Sequence, residues 1–172
     1  MDGLQRNVLV VYYSRVGHTK KVAQKLAEHY NAEIAEIRSL EDFSTTSGSM
    51  KEGYNAFADK PSPLSESPLV LDHHTTIWIG CPVHCWNVAS PMHQWLIEHR
   101  SEIMAIPGRQ INGFCTLGGV GQKAFFEQME KKLGLRLNQK IAVPMKDADA
   151  FDPSKPSKQM QEANDTKLKS EV

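Results

Sequence analysis

The chain begins with a change from a buried-strand pattern to a helical pattern. Residues 8–13 read VLVVYY, a continuous apolar run that is typical of a strand buried on both faces. Farther on, Val22, Leu26 and Tyr30 recur at spacings of four residues, while several lysines occupy the other positions. This pattern predicts a strand, a short polar loop and an amphipathic helix, in that order.

The same alternation of strands and helices continues along the chain. The sequence predicts a half-buried edge strand at residues 33–37, next to the first strand. It predicts three buried strands at residues 75–80, 110–116 and 140–144. Helices are predicted at residues 50–58, from the capping Ser90 and Pro91 onward, and at residues 122–133 before Gly134. Strands that alternate with helical crossovers imply a parallel sheet with helices on both faces.

The length of 172 residues predicts a single domain with a substantial core. We assign residues 1–152 to this domain. Residues 153–172 carry only a thin apolar stripe, and this predicts a weakly packed C-terminal helix or tail of the same domain. If that segment packs poorly, a second subunit covers the exposed apolar surface, and the protein is a homodimer.

Charge and cysteine usage narrow the function classes. Lys plus Arg and Asp plus Glu each count 20, so no excess charge favours nucleic acid or anionic lipid as a partner. With no secretory pattern and no apolar run of membrane-spanning length, we expect a cytoplasmic protein. Cys81, Cys85 and Cys115 are an odd number, which favours reduced thiols. Together with His84 they match no closed zinc ligand set, and residues 73–74 are interpreted as surface histidines, so no metal site is predicted.

Three loops follow predicted strands, at the edge where open parallel sheets bind ligands. The first loop has hydroxyls at Ser14 and Thr19 and a glycine at Gly17, directly before a helix whose free amide groups attract anions. This loop predicts a phosphate site, although the two hydroxyls also fit a role as simple helix caps. It has no Gly-Lys-Ser/Thr ending and only one glycine, which sets aside the nucleoside triphosphatase and dinucleotide loops.

The three loops together resemble those of the flavodoxin family. The first loop is similar to Ser/Thr-x-Thr-Gly-x-Thr, with Ser14, Gly17 and Thr19 in place and a valine where threonine is usual. The second loop, PVHCWN at residues 82–87, is similar to Pro-Val-aromatic-x-Gly-Asn, and the third, TLGGVG at residues 116–121, is similar to the family's third loop. Three loops that match in order are far more specific than one.

The resemblance implies an α/β fold, a flavodoxin-like three-layer sandwich with a five-stranded parallel sheet in the order 2-1-3-4-5 and helices on both faces. It also implies non-covalently bound FMN, which carries the chemistry, so that no catalytic side chain is required. The implied phosphate-binding residues are Ser14, Arg15, Val16, Gly17, His18 and Thr19. The residues implied to flank the isoalloxazine ring are Pro82, Val83, His84, Cys85, Trp86, Asn87, Thr116, Leu117, Gly118, Gly119 and Gly121.

Two residues depart from the family pattern and bear on function. Trp86 stands where a glycine is usual, and His84 replaces a stacking Tyr or Trp, so redox tuning is expected to differ. The resemblance implies a redox protein that passes electrons through its flavin to a partner protein. The alternative is an NAD(P)H-dependent FMN oxidoreductase that reduces a quinone or other small acceptor, and a third is an interaction module with a decayed site. The balanced charge argues mildly against a carrier, since carriers of this family tend to be acidic.

Overall fold

Seven strands and four helices make up most of the part of the chain that this computed structural model describes, residues 7–155. The strands are β1 (Val8–Tyr13), β2 (Glu33–Ser39), β3 (Leu64–Glu66), β4 (Thr76–His84), β5 (Asn87–Val88), β6 (Gln110–Leu117) and β7 (Lys140–Pro144). The helices are α1 (His18–Tyr30), α2 (Thr46–Phe57), α3 (Ser90–Met104) and α4 (Gln122–Leu133). A short 3-10 turn, Met145–Asp147, follows β7.

The sheet has the order β3-β2-β1-β4-β6-β7, with β5 paired to β4 beside this path. All pairings among β2, β1, β4, β6 and β7 are parallel, whereas β3 and β5 pair antiparallel with their neighbours. The predicted α/β class, with a parallel sheet between helices, is therefore confirmed. The prediction of five strands in the order 2-1-3-4-5 is wrong, because it missed the two short strands, β3 and β5. Each is too short to show a hydrophobic pattern of its own, and its position depends on pairing with the longer strand beside it.

The register of the sheet brings the ends of three strands together. Tyr12 of β1 pairs with Gly80 of β4, and two residues later in β4, Pro82 pairs with Thr116 at the end of β6. The loops that follow β1, β4 and β6 therefore meet at one edge. Gly80 also makes room for the core, since a Cβ at this position would lie 2.2 Å from the ring of Phe114.

Two apolar layers cover the faces of the sheet. On one face, α1 buries Val22, Ala23 and Leu26 against Trp78 and Phe114. On the other face, apolar residues of α3 and α4 pack on alternate residues of the same strands; they include Met92, Trp95, Leu96, Phe125, Phe126, Met129 and Leu133. Burial of each large side chain contributes about 1.5 to 3 kcal/mol, so these layers fix the sheet that presents the loops.

Helix α2 differs from the helix predicted over residues 50–58. It begins earlier, at Thr46, whose preceding Thr45 caps it by accepting a hydrogen bond from the amide of Gly48 at 3.1 Å. The helix turns Tyr54 and Phe57 toward solvent and buries Glu52. One of its two charged residues is thus on the inside, where periodicity would have placed an apolar one.

The predicted tail at residues 153–172 lies outside the described residues apart from its first three positions, which form a turn. None of the helices between residues 7 and 155 has the length and apolar character needed to cross a membrane.

Candidate functional site

A depression lies where the three loops meet. It is lined by residues of the first loop, of the β4 and β6 ends and of the turn after β7: Ser14, Arg15, Val16, His18, Thr19, Pro82, His84, Thr116 and Met145. All but Met145 belong to the predicted site. The other predicted site residues belong to the same three loops but do not line the depression: Gly17, Val83, Cys85, Trp86, Asn87, Leu117, Gly118, Gly119 and Gly121.

The first loop presents free amide groups at the start of α1. Gly17 adopts a left-handed backbone with φ of 100°, and the Ser14 hydroxyl accepts hydrogen bonds from the amides of Gly17 and Lys20 at 3.1 and 3.2 Å. The amides of His18 and Thr19 make no hydrogen bond to any described residue. Because the first turn of a helix also carries partial positive charge, these two amides are ready-made donors for an anion.

The side chains of Thr19, Thr116 and His18 add further polar atoms to the lining of the depression. The hydroxyls of Thr19 and Thr116 lie 2.7 Å apart and join the first loop to the end of β6. Both residues are buried. The Nδ1 atom of His18, also buried, has no hydrogen-bond partner in the described part of the chain. The oxygens of a phosphate monoester can form hydrogen bonds with the free amides, with the hydroxyls and with the unpaired nitrogen of His18. The residues present therefore fit the phosphate end of FMN.

The Arg15 side chain is held by α2 rather than left free. Its guanidinium donates to the hydroxyl of Ser49, and Nε lies 4.0 Å from a carboxylate oxygen of Glu52. Arg15 therefore contributes positive charge to the wall of the depression from a fixed position.

The second loop is a β-hairpin, which the sequence did not reveal. β4 runs on to His84, which pairs with Asn87, and Cys85 and Trp86 form the two-residue turn with φ of 48° and 61°. Both values belong to the type I′ turn that such hairpins favour, usually with Asn-Gly. Trp86 thus already adopts the left-handed backbone that glycine prefers, at a cost of about 1 to 2 kcal/mol.

The hairpin packs against the third loop. The Trp86 ring is 57% exposed, and its Cδ1 atom would lie 2.9 Å from a Cβ placed on Gly121. Gly121 itself has φ of 115° and precedes α4, while nothing lies within 4 Å of a Cβ at Gly118 or Gly119. The third loop therefore leaves open space at Gly118 and Gly119 beside an exposed indole, a shape that suits a flat ring.

Asn87 fastens the hairpin to α2 rather than facing the depression. Its amide group donates to the carbonyl of Ala56 at 2.9 Å and to Asp59 at 3.1 Å, and its side-chain oxygen accepts from the Val88 amide. The role of Asn87 in the geometry is to fix the position of the second loop.

Glu52 is a charged residue of the site that the sequence analysis missed. Its carboxylate is fully buried, with Oε1 2.8 Å from Nδ1 of His84. Burial and, second, the negative charge of Glu52 raise the pKa of the Tyr13 hydroxyl well above its usual value. A glutamate on a short helix gives no periodic signal for burial, since its partner is distant in sequence.

The three cysteines differ in exposure. Cys81 and Cys115 are neighbours across β4 and β6, and burial raises the pKa of each thiol well above its usual value. Cys85, in the hairpin turn, is exposed. Reactive thiolate chemistry at the two core cysteines is thereby disfavoured.

A second polar cluster lies at the opposite, amino end of the strands. Glu33, His73 and His74 bring potential ligand atoms within 4.8 Å of one another. His74 is buried, so its interpretation as a surface histidine is wrong. Its Nδ1 accepts the Leu71 amide at 3.2 Å, which leaves the proton on Nε2, 3.1 Å from Glu33.

The two histidines of this cluster stabilise the ionised form of Glu33. Burial opposes ionisation of Glu33, but hydrogen bonds from His74 and His73 outweigh it and lower the pKa of that carboxyl. A metal on Nε2 of His74 would require a proton on Nδ1, directed at the N–H of Leu71. The geometry therefore favours a hydrogen-bonded cluster over a metal site.

Comparison with known proteins gives one family and a set of similar folds. Residues 7–141 match the sequence model of the family Flavodoxin. No curated protein sequence matches significantly. A flavoprotein from Lactobacillus acidophilus NCFM, solved in complex with FMN, is 20% identical, with a TM-score of 0.66 over 88% of this chain and 100% of that chain.

Two further solved structures share the fold. A protein from Bacteroides uniformis ATCC 8492, described as a flavoprotein, is 18% identical with a TM-score of 0.65, over 84% of this chain and 96% of that chain. Rubredoxin oxygen:oxidoreductase from Desulfovibrio gigas is 12% identical with a TM-score of 0.52, over 85% of this chain but only 34% of that chain. At these identities the similarity establishes the fold.

Proposed function

Because this chain belongs to the flavodoxin family, we propose that it binds one FMN molecule non-covalently where the loops after β1, β4 and β6 meet. The observation that carries the proposal is the pair of amides, at His18 and Thr19, that open α1 beside the depression and make no hydrogen bond within residues 7–155. The solved flavoprotein from Lactobacillus acidophilus, which shares the fold, was crystallised with FMN and supports this choice of ligand.

The phosphate end would be held by the first loop. The amides of His18 and Thr19, the hydroxyl of Ser14 and whichever of the paired hydroxyls of Thr19 and Thr116 is not donating to the other would donate hydrogen bonds to its oxygens. The nearby Arg15 would offset part of the negative charge, since its side chain is held against α2 by Ser49 and Glu52. The side chain of Val16 is exposed and would lie at the rim.

The ring end would lie between the second and third loops. Trp86 and His84 would cover it from the hairpin, while the glycines of the third loop would let it approach the backbone closely. FMN, when bound, supplies electron transfer in one- or two-electron steps. The protein's own part is to bind the phosphate, orient the ring and exclude water from the face that the hairpin covers.

We propose that the protein uses this site as a flavin-dependent redox protein, with a partner protein as electron acceptor. An NAD(P)H-dependent oxidoreductase acting on a quinone or another small acceptor is the second candidate. The observation that favours this candidate is the balance of 20 basic and 20 acidic residues, since carriers use strong net charge to dock on their partners.

Flavin titration and rapid kinetics test both parts of the proposal. The protein should take up about one FMN per chain, and Gly17→Val should weaken uptake strongly, because valine strains the left-handed backbone of the phosphate loop. Gly108→Val is the matched control, since Gly108 has φ of 78°, equally open space and no contact with the depression. Failure of the wild-type protein to bind FMN would overturn the proposal.

Stopped-flow reduction then separates the two candidate functions. Prompt bleaching of the flavin absorbance by NADH or NADPH, followed by reoxidation with a quinone, identifies the oxidoreductase. No bleaching by either nucleotide, together with reduction by dithionite and slow electron exchange with a protein partner, identifies the carrier.

A further inference from the structure

Helix α2 buries one of its two charged residues, Glu52, and exposes large apolar side chains. Glu52 has no exposed side-chain surface, whereas Tyr54 is 58% and Phe57 is 74% exposed. Burying an ionised carboxylate is costly unless other groups compensate its charge. An arrangement that reverses the ordinary pattern of an amphipathic helix therefore calls for a specific role of Glu52.

The compensating groups come from two different loops of the candidate site. Oε1 of Glu52 lies 2.8 Å from Nδ1 of His84 in the second loop, and Oε2 lies 4.0 Å from Nε of Arg15 in the first. None of these atoms makes a hydrogen bond of ordinary geometry to a described residue, so the contacts are charge contacts at close range. One buried carboxylate thus sits between the guanidinium of Arg15 in the first loop and the imidazole of His84 in the second.

This placement determines which side of the His84 ring carries a proton. A carboxylate next to Nδ1 favours the form in which Nδ1 is protonated. Nε2 of His84 has no described partner, yet it is absent from the buried unpaired atoms, so it remains accessible at the depression that His84 lines. His84 would therefore present its Nε2 atom to a ligand.

We propose that Glu52 is the positioning residue of the candidate site: it fixes the orientation and the Nδ1 proton of His84, and through Arg15 it ties the second loop to the first. The role in ligand binding rests on the proposed FMN site. The pairing of Glu52 with His84 does not, and it can be tested on the protein without flavin.

The first experiment measures the imidazole nitrogens of His84 by long-range 1H–15N correlation in flavin-free protein, with His84→Phe to assign the signals. In the wild type the Nδ1 signal should be that of a protonated nitrogen. Glu52→Leu, which removes the carboxylate, should shift it toward the unprotonated position, and Glu52→Gln, which keeps the shape of the side chain but loses its charge, should shift it less far. His84 signals that are unchanged in folded Glu52→Leu would overturn the proposal.

The second experiment measures dissociation constants for FMN and riboflavin. Glu52→Gln should weaken both ligands by a similar factor of roughly ten, as loss of an outer-sphere partner does at other ligand sites. The double variant Glu52→Gln/His84→Phe should bind no more weakly than His84→Phe alone, because Glu52 acts through the histidine. Additive losses would contradict the proposal. This second experiment does not use Glu52→Leu, so it can be carried out even if that variant fails to fold.

The matched control is a second glutamate–histidine pair away from the depression. Oε2 of Glu102 lies 2.9 Å from Nδ1 of His99, and both residues are on α3. Glu102→Gln should leave flavin affinity within twofold of the wild type and the His84 signals unmoved. If the wild type binds no flavin, the proposed function fails, and the imidazole spectra alone then decide the pairing of Glu52 with His84.

Discussion

Replacing Thr19 with Val should reduce affinity for FMN while sparing riboflavin. The substitution keeps the volume of the side chain but removes a hydroxyl that is buried 2.7 Å from Thr116 Oγ1, at the floor of the depression. A hydrogen bond to a charged phosphate contributes about 1.5 to 3 kcal/mol. At about 1.4 kcal/mol for each tenfold change, this predicts an increase of about 10- to 100-fold in the dissociation constant for FMN.

Quenching of flavin fluorescence, titrated at fixed pH with FMN and with riboflavin, measures both constants. Riboflavin lacks the phosphate, so its affinity should change less than about twofold. Thr76→Val is the control, because Thr76 begins β4 at the opposite end of the sheet. Equal losses for FMN and riboflavin in Thr19→Val would refute the assignment of the first loop to phosphate, since they would indicate general damage to the site.

Three further outcomes test other parts of the structure. In native protein one thiol, Cys85, should react promptly with Ellman's reagent, and the buried Cys81 and Cys115 should react only after denaturation; one reactive thiol after denaturation would indicate a disulfide. Arg109→Met should lower the free energy of unfolding by about 3 to 5 kcal/mol in urea titrations, because the buried guanidinium donates to four backbone carbonyls; a loss below 1 kcal/mol would refute this role. The pKa of Glu33 is lowered by folding, so Glu33 stabilises the native state above the ordinary carboxyl pKa and this contribution is lost as pH falls through the lowered value. Urea unfolding should show Glu33→Gln to be less stable at neutral pH, with a difference that vanishes in acid; a constant difference would contradict the pairing.

Much of the fold could be predicted because its signals are local. The run Val8–Tyr13, the helix Gln122–Leu133 with its stop at Gly134, and the strand Lys140–Pro144 occur at the predicted bounds. Each shows its burial in its own periodicity. The strands and loops that bring the candidate site together were likewise anticipated from their order.

The missed features depend on distant partners. The hairpin turn of Cys85 and Trp86 lacks the Asn-Gly signal of a type I′ turn, so only its pairing with β4 reveals it. Glu52 is buried because His84, far along the chain, faces it. The periodicity of a helix indicates only the average environment of each of its faces. It therefore cannot predict a contact between one charged residue of the helix and a residue of another element.

The position of β1 at the centre of the sheet has a consequence for how the protein emerges from the ribosome. β1 is synthesised first, but its partner β4 begins only at Thr76. The end of β6 and Met145, which also line the depression, follow later still. An emerging chain can pair β1 only with β2, leaving one edge of β1 open until β4 arrives. The ligand site is therefore among the last parts of the molecule to be assembled, and cofactor uptake should report completion of the whole sheet rather than of its first half.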